Sequence, residues 1–528
     1  MADFLSSSAI DHPTAVEAAL REPAGWLLRD EMARNVARYL PMELVPAVYA
    51  EWRPLVHDAI VFILSRLSAA RLAPKLVEQM ALPPETAPEE RLLRLVACMP
   101  GLQKLGQVVA RNRHLHASLR NALSTLENGI SDASYQDIHS TIVAELGPAL
   151  RTYRVKIESA IWREASVSAV VRFTWRNRTS GQDEKGVFKI LKPHVPACFS
   201  EDTELLQRLA RFVESKGSAY ALKAHAASET FSEVRQLLEH EIDFVREQRM
   251  LLEAGRLYGS LPGVRIPGLI QPLCTSKITA TTEEGGEKVT DAVQDMPQWR
   301  RSPLAEQLVE ALIAVPLLSS GEATIFHADP HAGNLLYDRG RRELVILDWA
   351  LTERLSREQR RHLAVLLAMV ALRDPAGICK QIQALTCKKS QKMVPIIEHC
   401  VSGFLGELPP SAFPGVADAT RLLERLALEG VIFPAALLML RKVLFTLDGI
   451  LHEIAGPDFS VDPILFRTAM QRWIRNPTTC GSPLLPVDWL SVQVSAVLYP
   501  SRWWAQWMWR LSTAGSARLA SLPDRVHT

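Results

Sequence analysis

The spacing of apolar residues divides the chain into helical and extended regions. Between about residues 14 and 160, apolar side chains recur at steps of three and four, as in VHDAIVFILSRLSAARLAPKLVEQM, which predicts amphipathic helices. Near Ser166 the pattern changes to SVSAVVRFTW, followed by the turn-like RNRTSGQDE and then by KGVFKILK. Two runs rich in β-branched and aromatic residues around a polar segment predict a β-hairpin that ends at Lys192 and Pro193.

The later part of the chain returns to helical patterns. Residues from about 201 to 256 read as helical, IPGLIQPLCTSKITATTEE alternates like strands, and EEGGEK resembles a flexible connector. Helical patterns follow from about 302 to 320, and almost everything from Asp348 to about 475 reads as helix.

This order of elements predicts an α+β, bilobal protein-kinase-like fold. It would have a helical N-terminal extension, a small sheet with one embedded helix, and a mostly helical C-terminal lobe. The predicted regions are 1–94, helical and of unknown role; 95–160, a helical extension; 161–286, the N-terminal lobe; 287–475, the C-terminal lobe; and 476–528, a Trp-rich C-terminal segment.

The segment FHADPHAGNLLYDRGRRELVILDWAL contains three side-chain oxygens at intervals typical of kinases. Asp329 is followed five residues later by Asn334, and Asp348 ends an apolar run that predicts a strand. H-x-D with a later Asn is the layout of a kinase catalytic loop, and Mg²⁺ prefers oxygen ligands such as carboxylates. We predict Asp329 as the catalytic carboxylate, and Asn334 and Asp348 as ligands of the Mg²⁺ that accompanies ATP.

A kinase site also needs a cation on the nucleotide phosphates. Lys189, in GVFKI, lies on a predicted strand, and Glu247, in EIDFVREQ, lies on the helix that follows. Kinases pair such a lysine with a glutamate, so we predict both residues in the catalytic site and in ATP binding.

Composition excludes some classes of protein. The chain of 528 residues is 48% hydrophobic and 22% charged, as expected for a globular protein with more than one structural unit. The net charge of +2 gives no reason to expect a nucleic-acid partner. The seven cysteines lack C-x-x-C spacing, and the N-terminus does not resemble a signal peptide. We therefore expect a cytoplasmic location, including the cytosolic face of a membrane.

The C-terminal segment VDWLSVQVSAVLYPSRWWAQWMWRL holds five of the chain's twelve tryptophans. Polar residues and a proline interrupt it, so it does not read as a membrane span. Two hypotheses remain open. One is a peripheral membrane contact through residues 488–510, because tryptophan favours the boundary between lipid and water. The other is an amphipathic helix packed against the large lobe.

Three motifs together resemble the UbiB/AarF family of atypical kinases. They are FHADPHAGN, the KLGQ stretch at Lys104–Gln107 and the EID triplet at Glu241–Asp243, and they occur in the order found in that family. The resemblance covers roughly residues 95–455.

The resemblance implies roles that periodicity does not show. The helical extension with its K-x-G-Q motif would fold over the active site, which disfavours ordinary protein-kinase activity. The activities that the resemblance then implies are ATP hydrolysis or the phosphorylation of a lipid or quinone precursor. Either activity would belong to lipid or isoprenoid-quinone metabolism. The residues of this regulatory extension would be Lys104, Gly106, Gln107, Glu241 and Asp243.

Two departures from the family pattern concern the nucleotide. The alanine-rich nucleotide loop reads Arg163-Glu164-Ala165-Ser166 here, so only Ala165 and Ser166 match as nucleotide-binding residues. Glu164 would repel phosphates unless a cation or Mg²⁺ offsets its charge. The D-F-G motif has become Asp348-Trp349-Ala350, which removes a flexible glycine.

Two other functions remain compatible with the sequence. Small-molecule phosphotransferases of the aminoglycoside or choline kinase type resemble the chain in H-x-D-x-H-x-x-N and in a metal Asp followed by Trp, but lack the upstream K-x-G-Q and E-x-D. A nucleotide-binding pseudokinase scaffold is the other alternative, and the altered nucleotide loop is the feature that favours it.

Overall fold

The computed structural model describes residues 12–38, 53–104, 133–216, 235–236, 238–387, 391–409, 413–475 and 483–520. The chain folds as two compact units. Unit 1 comprises Met1–Arg249 and Gly268–Glu283, and unit 2 comprises Met250–Pro267 and Glu284–Thr528. The mixture of small sheets and many helices confirms the predicted α+β class.

Unit 1 has a helical part with its own apolar core. Leu64, Leu67 and Leu72 are fully buried there with Met99, and they pack in one cluster with residues of a later helix. The helices described in this unit are α1 (Pro13–Arg21), α2 (Gly25–Arg38), α3 (Arg53–Arg66), α4 (Ala69–Ala81), α5 (Pro88–Val96), α6 (Tyr135–Thr152) and α7 (Val195–Lys216). Helix α8 (Phe244–Tyr258) begins in unit 1 and ends in unit 2.

The sheet of unit 1 contains the predicted hairpin. Its strands are β1 (Lys156–Ile157), β2 (Arg163–Glu164), β3 (Ser168–Arg176), β4 (Asp183–Leu191) and β6 (Ile278–Thr282), in the order β1-β3-β4-β6 with β2 paired to β3. Strands β3 and β4 are antiparallel, with Val170 opposite Lys189. Phe173 and Phe188 stack beneath them with ring centroids 3.8 Å apart, which buries one face of the sheet.

Unit 2 contains two further sheets. Their strands are β5 (Val264–Arg265), β7 (Glu287–Lys288), β8 (Ala323–His327), β9 (Leu335–Asp338), β10 (Glu343–Ile346) and β11 (Thr352–Ser356). One sheet has four strands in the order β5-β10-β9-β7, and the other pairs β11 with β8.

The helices of unit 2 follow the predicted order. The helical stretch near 302–320 is confirmed as α10 (Gln298–Val309), a π-helical turn (Glu310–Ala314) and α11 (Val315–Leu318). The others described are α9 (Val289–Ala292), α12 (Arg357–Ala371), α13 (Pro375–Leu385), α14 (Val394–Glu407), α15 (Val416–Leu428), α16 (Ala435–Ala455), α17 (Asp462–Arg475) and α18 (Pro486–Ala520).

Three segments differ from the sequence-based prediction. IPGLIQPLCTSKITATTEE forms a strand only at Ile278–Thr282 and has a 3₁₀ turn at Gln271–Leu273. The expected connector EEGGEK ends in β7, which pairs with β9. Residues after Asp348 do not enter a helix at once, because Thr352–Ser356 pairs with β8, and the capping box of Ser356 and Gln359 then starts α12.

Candidate functional site

The predicted lysine–glutamate pair is present in unit 1. Lys189 lies on β4, and its Nζ donates a hydrogen bond of 2.8 Å to Oε1 of Glu247 in the first turn of α8. The Glu247 side chain is buried and that of Lys189 is mostly buried, so little water screens their charges. The pairing agrees with the sequence-based expectation, and the role of both residues in binding ATP stays a prediction.

Asp243 lies at the start of the same helix. Its Oδ1 accepts a hydrogen bond of 2.9 Å from the backbone N–H of Arg246, which is the contact of a helix N-cap. The backbone N–H of Glu247 donates to the Asp243 carbonyl at 3.0 Å. Asp243 therefore positions the helix that carries Glu247, whereas its predicted role towards the extension stays untested.

The K-x-G-Q lysine contacts the E-x-D glutamate. The Nζ of Lys104 donates a hydrogen bond to Oε1 of Glu241, and Lys104 is buried. The other oxygen of Glu241 lies 3.5 Å from Oγ of Ser166, which the sequence assigns to the nucleotide loop. Gly106 and Gln107 lie outside the described residues.

The predicted nucleotide loop is the tight connection between β2 and β3. Glu164 is paired in β2, and the N–H of Ala165 donates to the carbonyl of Ser168 at 2.8 Å. The carboxylate of Glu164 lies 3.0 Å from Nζ of Lys192, whose side chain is 0% exposed. Lys192 thus neutralises the negative charge of Glu164, which the sequence analysis had expected to repel phosphates. The only sign of Lys192 in the sequence was a lysine directly after the apolar run of β4.

In unit 2, the catalytic loop is joined to the end of β10. Asp329 follows β8, and the amide Nδ2 of Asn334 donates to the Asp329 carbonyl at 3.2 Å. The backbone N–H of Leu347 donates to the Asn334 carbonyl at 2.8 Å. Since Asp348 is the next residue, these bonds hold Asn334 and Asp348 on neighbouring segments.

The His327 ring hydrogen-bonds both to the loop of Asp329 and to Leu347, the residue before Asp348. Its Nε2 lies 3.0 Å from the carbonyl of Leu347, and its Nδ1 lies 3.2 Å from the N–H of Asp329. A carbonyl only accepts, so Nε2 carries the proton and Nδ1 accepts from Asp329. Burial of the ring lowers the pKa of His327, which agrees with this neutral tautomer.

The turn that carries Asp348 is built around a buried tryptophan. Asp348 has φ 52°, a left-handed conformation that Asp tolerates better than most residues. Its Oδ1 accepts from the N–H of Ala350 at 3.2 Å, and the Trp349 indole donates to the Ile346 carbonyl at 3.2 Å. Within the described turn 346–352, the positive φ belongs to Asp348 and not to Ala350, so the missing glycine is not needed here.

A lysine that the sequence analysis did not single out reaches Asp329. Nζ of Lys442, on α16, lies 3.6 Å from Oδ1 of Asp329. Lys442 lies on a helix far along the chain from Asp329, and no sequence motif connects the two residues.

The side-chain oxygens of Asn334 and Asp348 in unit 2 fit Mg²⁺ bound to a nucleotide. Among the described residues, no group of three or more His, Cys, Asp or Glu side chains is arranged to hold a metal ion. Mg²⁺ in nucleotide sites commonly takes one or two carboxylates, with phosphates and water as its other ligands. The carboxylate of Asp348 and the amide of Asn334 match that requirement, so these residues suit Mg²⁺ bound with ATP better than Mg²⁺ alone.

The C-terminal helix α18 carries polar contacts on one face and apolar side chains on another. Asp488 accepts hydrogen bonds of 2.6 and 2.8 Å from Arg361, and Arg502 lies 3.2 Å from Asp374. Exposed apolar residues at helical spacing occupy a different face: Val487, Leu490, Val494, Val497, Leu498 and Trp504. None of the helices described for this chain combines the length and apolar character needed to cross a membrane.

Comparison with known proteins gives the same assignment as the motifs. Residues 125–382 match the ABC1 atypical kinase-like domain. This part of the chain carries an ABC1 atypical kinase-like domain, and curated relatives named UbiB kinase support the UbiB/ABC1 atypical kinase family. This result confirms both the kinase-like fold and the resemblance inferred from the residues.

The curated relatives that this chain resembles are distant. The chloroplastic ACTIVITY OF BC1 COMPLEX KINASE 7 protein of Arabidopsis thaliana is 24% identical over 68% of this chain and 51% of its own length. The probable protein kinase UbiB of Actinobacillus pleuropneumoniae is 23% identical over 49% of this chain and 48% of its own length. The chain thus spans about half the length of these relatives. A solved structure of Rv3197 with erythromycin, from Mycobacterium tuberculosis, matches with a TM-score of 0.43 at 13% identity, covering 74% of this chain and 95% of that one.

Proposed function

We propose that this chain binds ATP with Mg²⁺ and acts as an atypical kinase or ATPase in lipid or isoprenoid-quinone metabolism. The observation that carries the proposal is the pair of hydrogen bonds from Asn334 to Asp329 and from Leu347 to Asn334, which bring Asp329 and Asn334 next to the segment of Asp348. The Lys189–Glu247 pair of unit 1 supports it independently, because a phosphate-binding lysine needs such a partner to hold its position.

Each residue has a distinct task in the proposed reaction. Asn334 and Asp348 would hold Mg²⁺, which neutralises the phosphates of the ATP substrate. Asp329 would orient the acceptor and take its proton, and Lys189, positioned by Glu247, would bind phosphate oxygens of ATP. The lipid or quinone acceptor follows from the family resemblance, which also predicts that the helical extension restricts access to the site.

Thermal unfolding with and without MgATP tests the nucleotide site. We expect MgATP to stabilise the native chain by about 2.7 kcal/mol at a hundredfold excess over its dissociation constant. Asp348→Asn should lose this response, because the amide removes the charged metal ligand while its size and turn conformation are kept. Asp295→Asn is the matched control, since it removes one charge from an exposed position of the same unit and should respond like the native chain.

Two outcomes would contradict the proposal. The first is a native chain that is folded and shows no response to MgATP. The second is an Asp348→Asn variant whose response equals that of the native chain, which would leave nucleotide binding without the proposed metal site.

The pairing of Glu164 with Lys192 weakens the argument for a pseudokinase scaffold. That alternative depended on an uncompensated acidic residue in the nucleotide loop, and here the charge is matched by a buried ammonium. The contact of Lys104 with Glu241 likewise favours the UbiB-type assignment over a small-molecule phosphotransferase of the aminoglycoside or choline kinase type, which lacks both motifs.

We also propose that α18 contacts a membrane surface through its exposed apolar face. The Asp488–Arg361 contact attaches the helix to unit 2, while Leu490, Val494 and Val497 face away from that contact. The two hypotheses for this segment are therefore compatible, since one face packs and the other would lie on lipid.

Flotation with vesicles of phosphatidylcholine and phosphatidylglycerol tests this membrane contact. Replacing Leu490, Val494 and Val497 by serine should weaken vesicle binding at least about tenfold, because moving three exposed aliphatic side chains from water into lipid contributes several kcal/mol. Replacing Leu428, Ile432 and Leu438, which are also exposed in unit 2, by serine is the control and should leave binding unchanged. Equal flotation of both triple variants and the native chain would reject the membrane contact.

A further inference from the structure

The contact between Lys442 and Asp329 gives the catalytic loop a cation from a distant helix. Nζ of Lys442 is 3.6 Å from Oδ1 of Asp329, and their side chains are 20% and 11% exposed. Helix α16 is held in place by fully buried Val443 and Leu447 on its inner face. The ammonium is therefore presented to the loop by a rigid element.

The loop itself lacks such a cation. The segment FHADPHAGN contains neither lysine nor arginine, and its buried His327 is hydrogen-bonded as a neutral ring, so the loop brings no permanent cation of its own. Phosphoryl transfer places negative charge on the equatorial oxygens of the transferred group, and enzymes stabilise that charge with cations. A further positive group close to Asp329 would add to the stabilisation that Mg²⁺ and Lys189 supply in the proposed function.

We propose that Lys442 is a further catalytic residue that contacts the transferred phosphoryl group of ATP, an inference that rests on the proposed function. A catalytic carboxylate lies about 2.6–3.2 Å from the acceptor oxygen, which in turn attacks the γ-phosphorus. The ammonium of Lys442 lies 3.6 Å from that carboxylate, so it would be close enough to contact the phosphoryl oxygens beside the acceptor.

The reaction that Lys442 would assist is a displacement at the γ-phosphorus of ATP. The oxygen of the acceptor hydroxyl, or of water, forms a bond to the γ-phosphorus as the bond from that phosphorus to the β–γ bridging oxygen breaks. The bridging oxygen leaves on ADP with the electron pair, and the acceptor proton passes to the carboxylate of Asp329. Lys442 keeps its protons and stabilises the charge of the phosphoryl oxygens.

Nucleotide affinities measured by calorimetry on the full chain test this role. The ligands are a non-hydrolysable ATP analogue and ADP, each with Mg²⁺. In Lys442→Met, affinity for the analogue should fall about tenfold or more, because a charged hydrogen bond to the γ-phosphoryl is lost, while affinity for ADP stays within about twofold. Lys442→Arg should recover most of the difference. Turnover of ATP by Lys442→Met should fall about a hundredfold.

Arg441→Met is the matched control. Arg441 is the preceding residue on α16 and lies 3.3 Å from Glu424, so its loss removes one cation from the same helix without touching Asp329. This variant should keep the native ratio of analogue to ADP affinity and the native turnover.

Each other outcome has a defined meaning. A native chain that binds neither nucleotide overturns the proposed function itself. A native chain that binds both, with an unchanged affinity ratio in Lys442→Met, overturns only the role of Lys442. A rise in turnover overturns it too, since Lys442 would then hold Asp329 in an inactive arrangement. If Lys442→Met does not fold, the affinity ratio of Lys442→Gln decides, and a native ratio in that variant rejects the proposal.

Discussion

The two units hold their candidate residues by different means. In unit 1 each lysine of interest is matched with a glutamate, in the pairs Lys189–Glu247, Lys104–Glu241 and Lys192–Glu164. In unit 2 the predicted catalytic loop and the turn of Asp348 are held mostly by hydrogen bonds to peptide groups and to a neutral histidine. The candidate residues of unit 1 are thus organised by charge, and those of unit 2 mostly by the backbone.

This difference predicts different responses to substitution. Removing one member of a buried ion pair leaves the other charge without compensation in a region of low dielectric, which costs several kcal/mol. Replacing Asp348 by asparagine in unit 2 changes a ligand but leaves the backbone bonds around it intact. Stability experiments should therefore distinguish the units before any activity is measured.

The largest expected effect is in the pair of Glu164 and Lys192. Glu164→Gln or Lys192→Met alone should lower the free energy of unfolding by about 3–5 kcal/mol, because the remaining buried charge loses its partner at 3.0 Å. The double variant should be much closer to the native chain, since neither charge remains. Urea unfolding of all four proteins completes a double-mutant cycle.

The control for this cycle is an exposed pair on the same sheet. Arg176 and Asp183 are 3.1 Å apart with side chains 45% and 69% exposed, and removing either should change stability by at most about 1 kcal/mol. If both cycles give equally small coupling energies, the contrast drawn between charge and backbone is wrong for unit 1.

A smaller effect is expected from pH at His327. Burial lowers the folded-state pKa of this residue below its ordinary value of 6.5, so the unfolded chain binds more protons between the two pKa values. Stability should therefore fall as the pH drops through 6.5, by up to about 1.4 kcal/mol per pH unit. The measurement is the urea midpoint from pH 7.5 down to pH 5.5, compared with His327→Gln, which does not titrate.

His240 serves as an internal reference for this experiment. Burial also lowers the pKa of His240 in unit 1, so it contributes to the pH dependence of both proteins alike. The difference in slope between the native chain and His327→Gln isolates His327. Identical slopes would show that His327 titrates normally and that the loop is not held by a neutral imidazole.

Local patterns predicted the elements that carry the site. The alternation in SVSAVVRFTW and KGVFKILK predicted the β3–β4 hairpin, which places Lys189 on a strand. The same reading predicted helix from Asp348 onward and missed β11, because TERLS forms a strand only by pairing with β8. A short segment of mixed polarity takes its structure from its neighbour, and that neighbour lies elsewhere in the chain.

The sequence by itself determined the resemblance to UbiB/ABC1 kinases and the identity of the motif residues, since these depend on residue types at short intervals. The pairing of Lys189 with Glu247 also followed from it, because the kinase pattern specifies both partners. Only the tertiary structure decided that Lys192 neutralises Glu164 and that Lys442 reaches Asp329. Charge pairing depends on distance in space, and a lysine carries no sign of which carboxylate the folded chain will bring within about 4 Å of it.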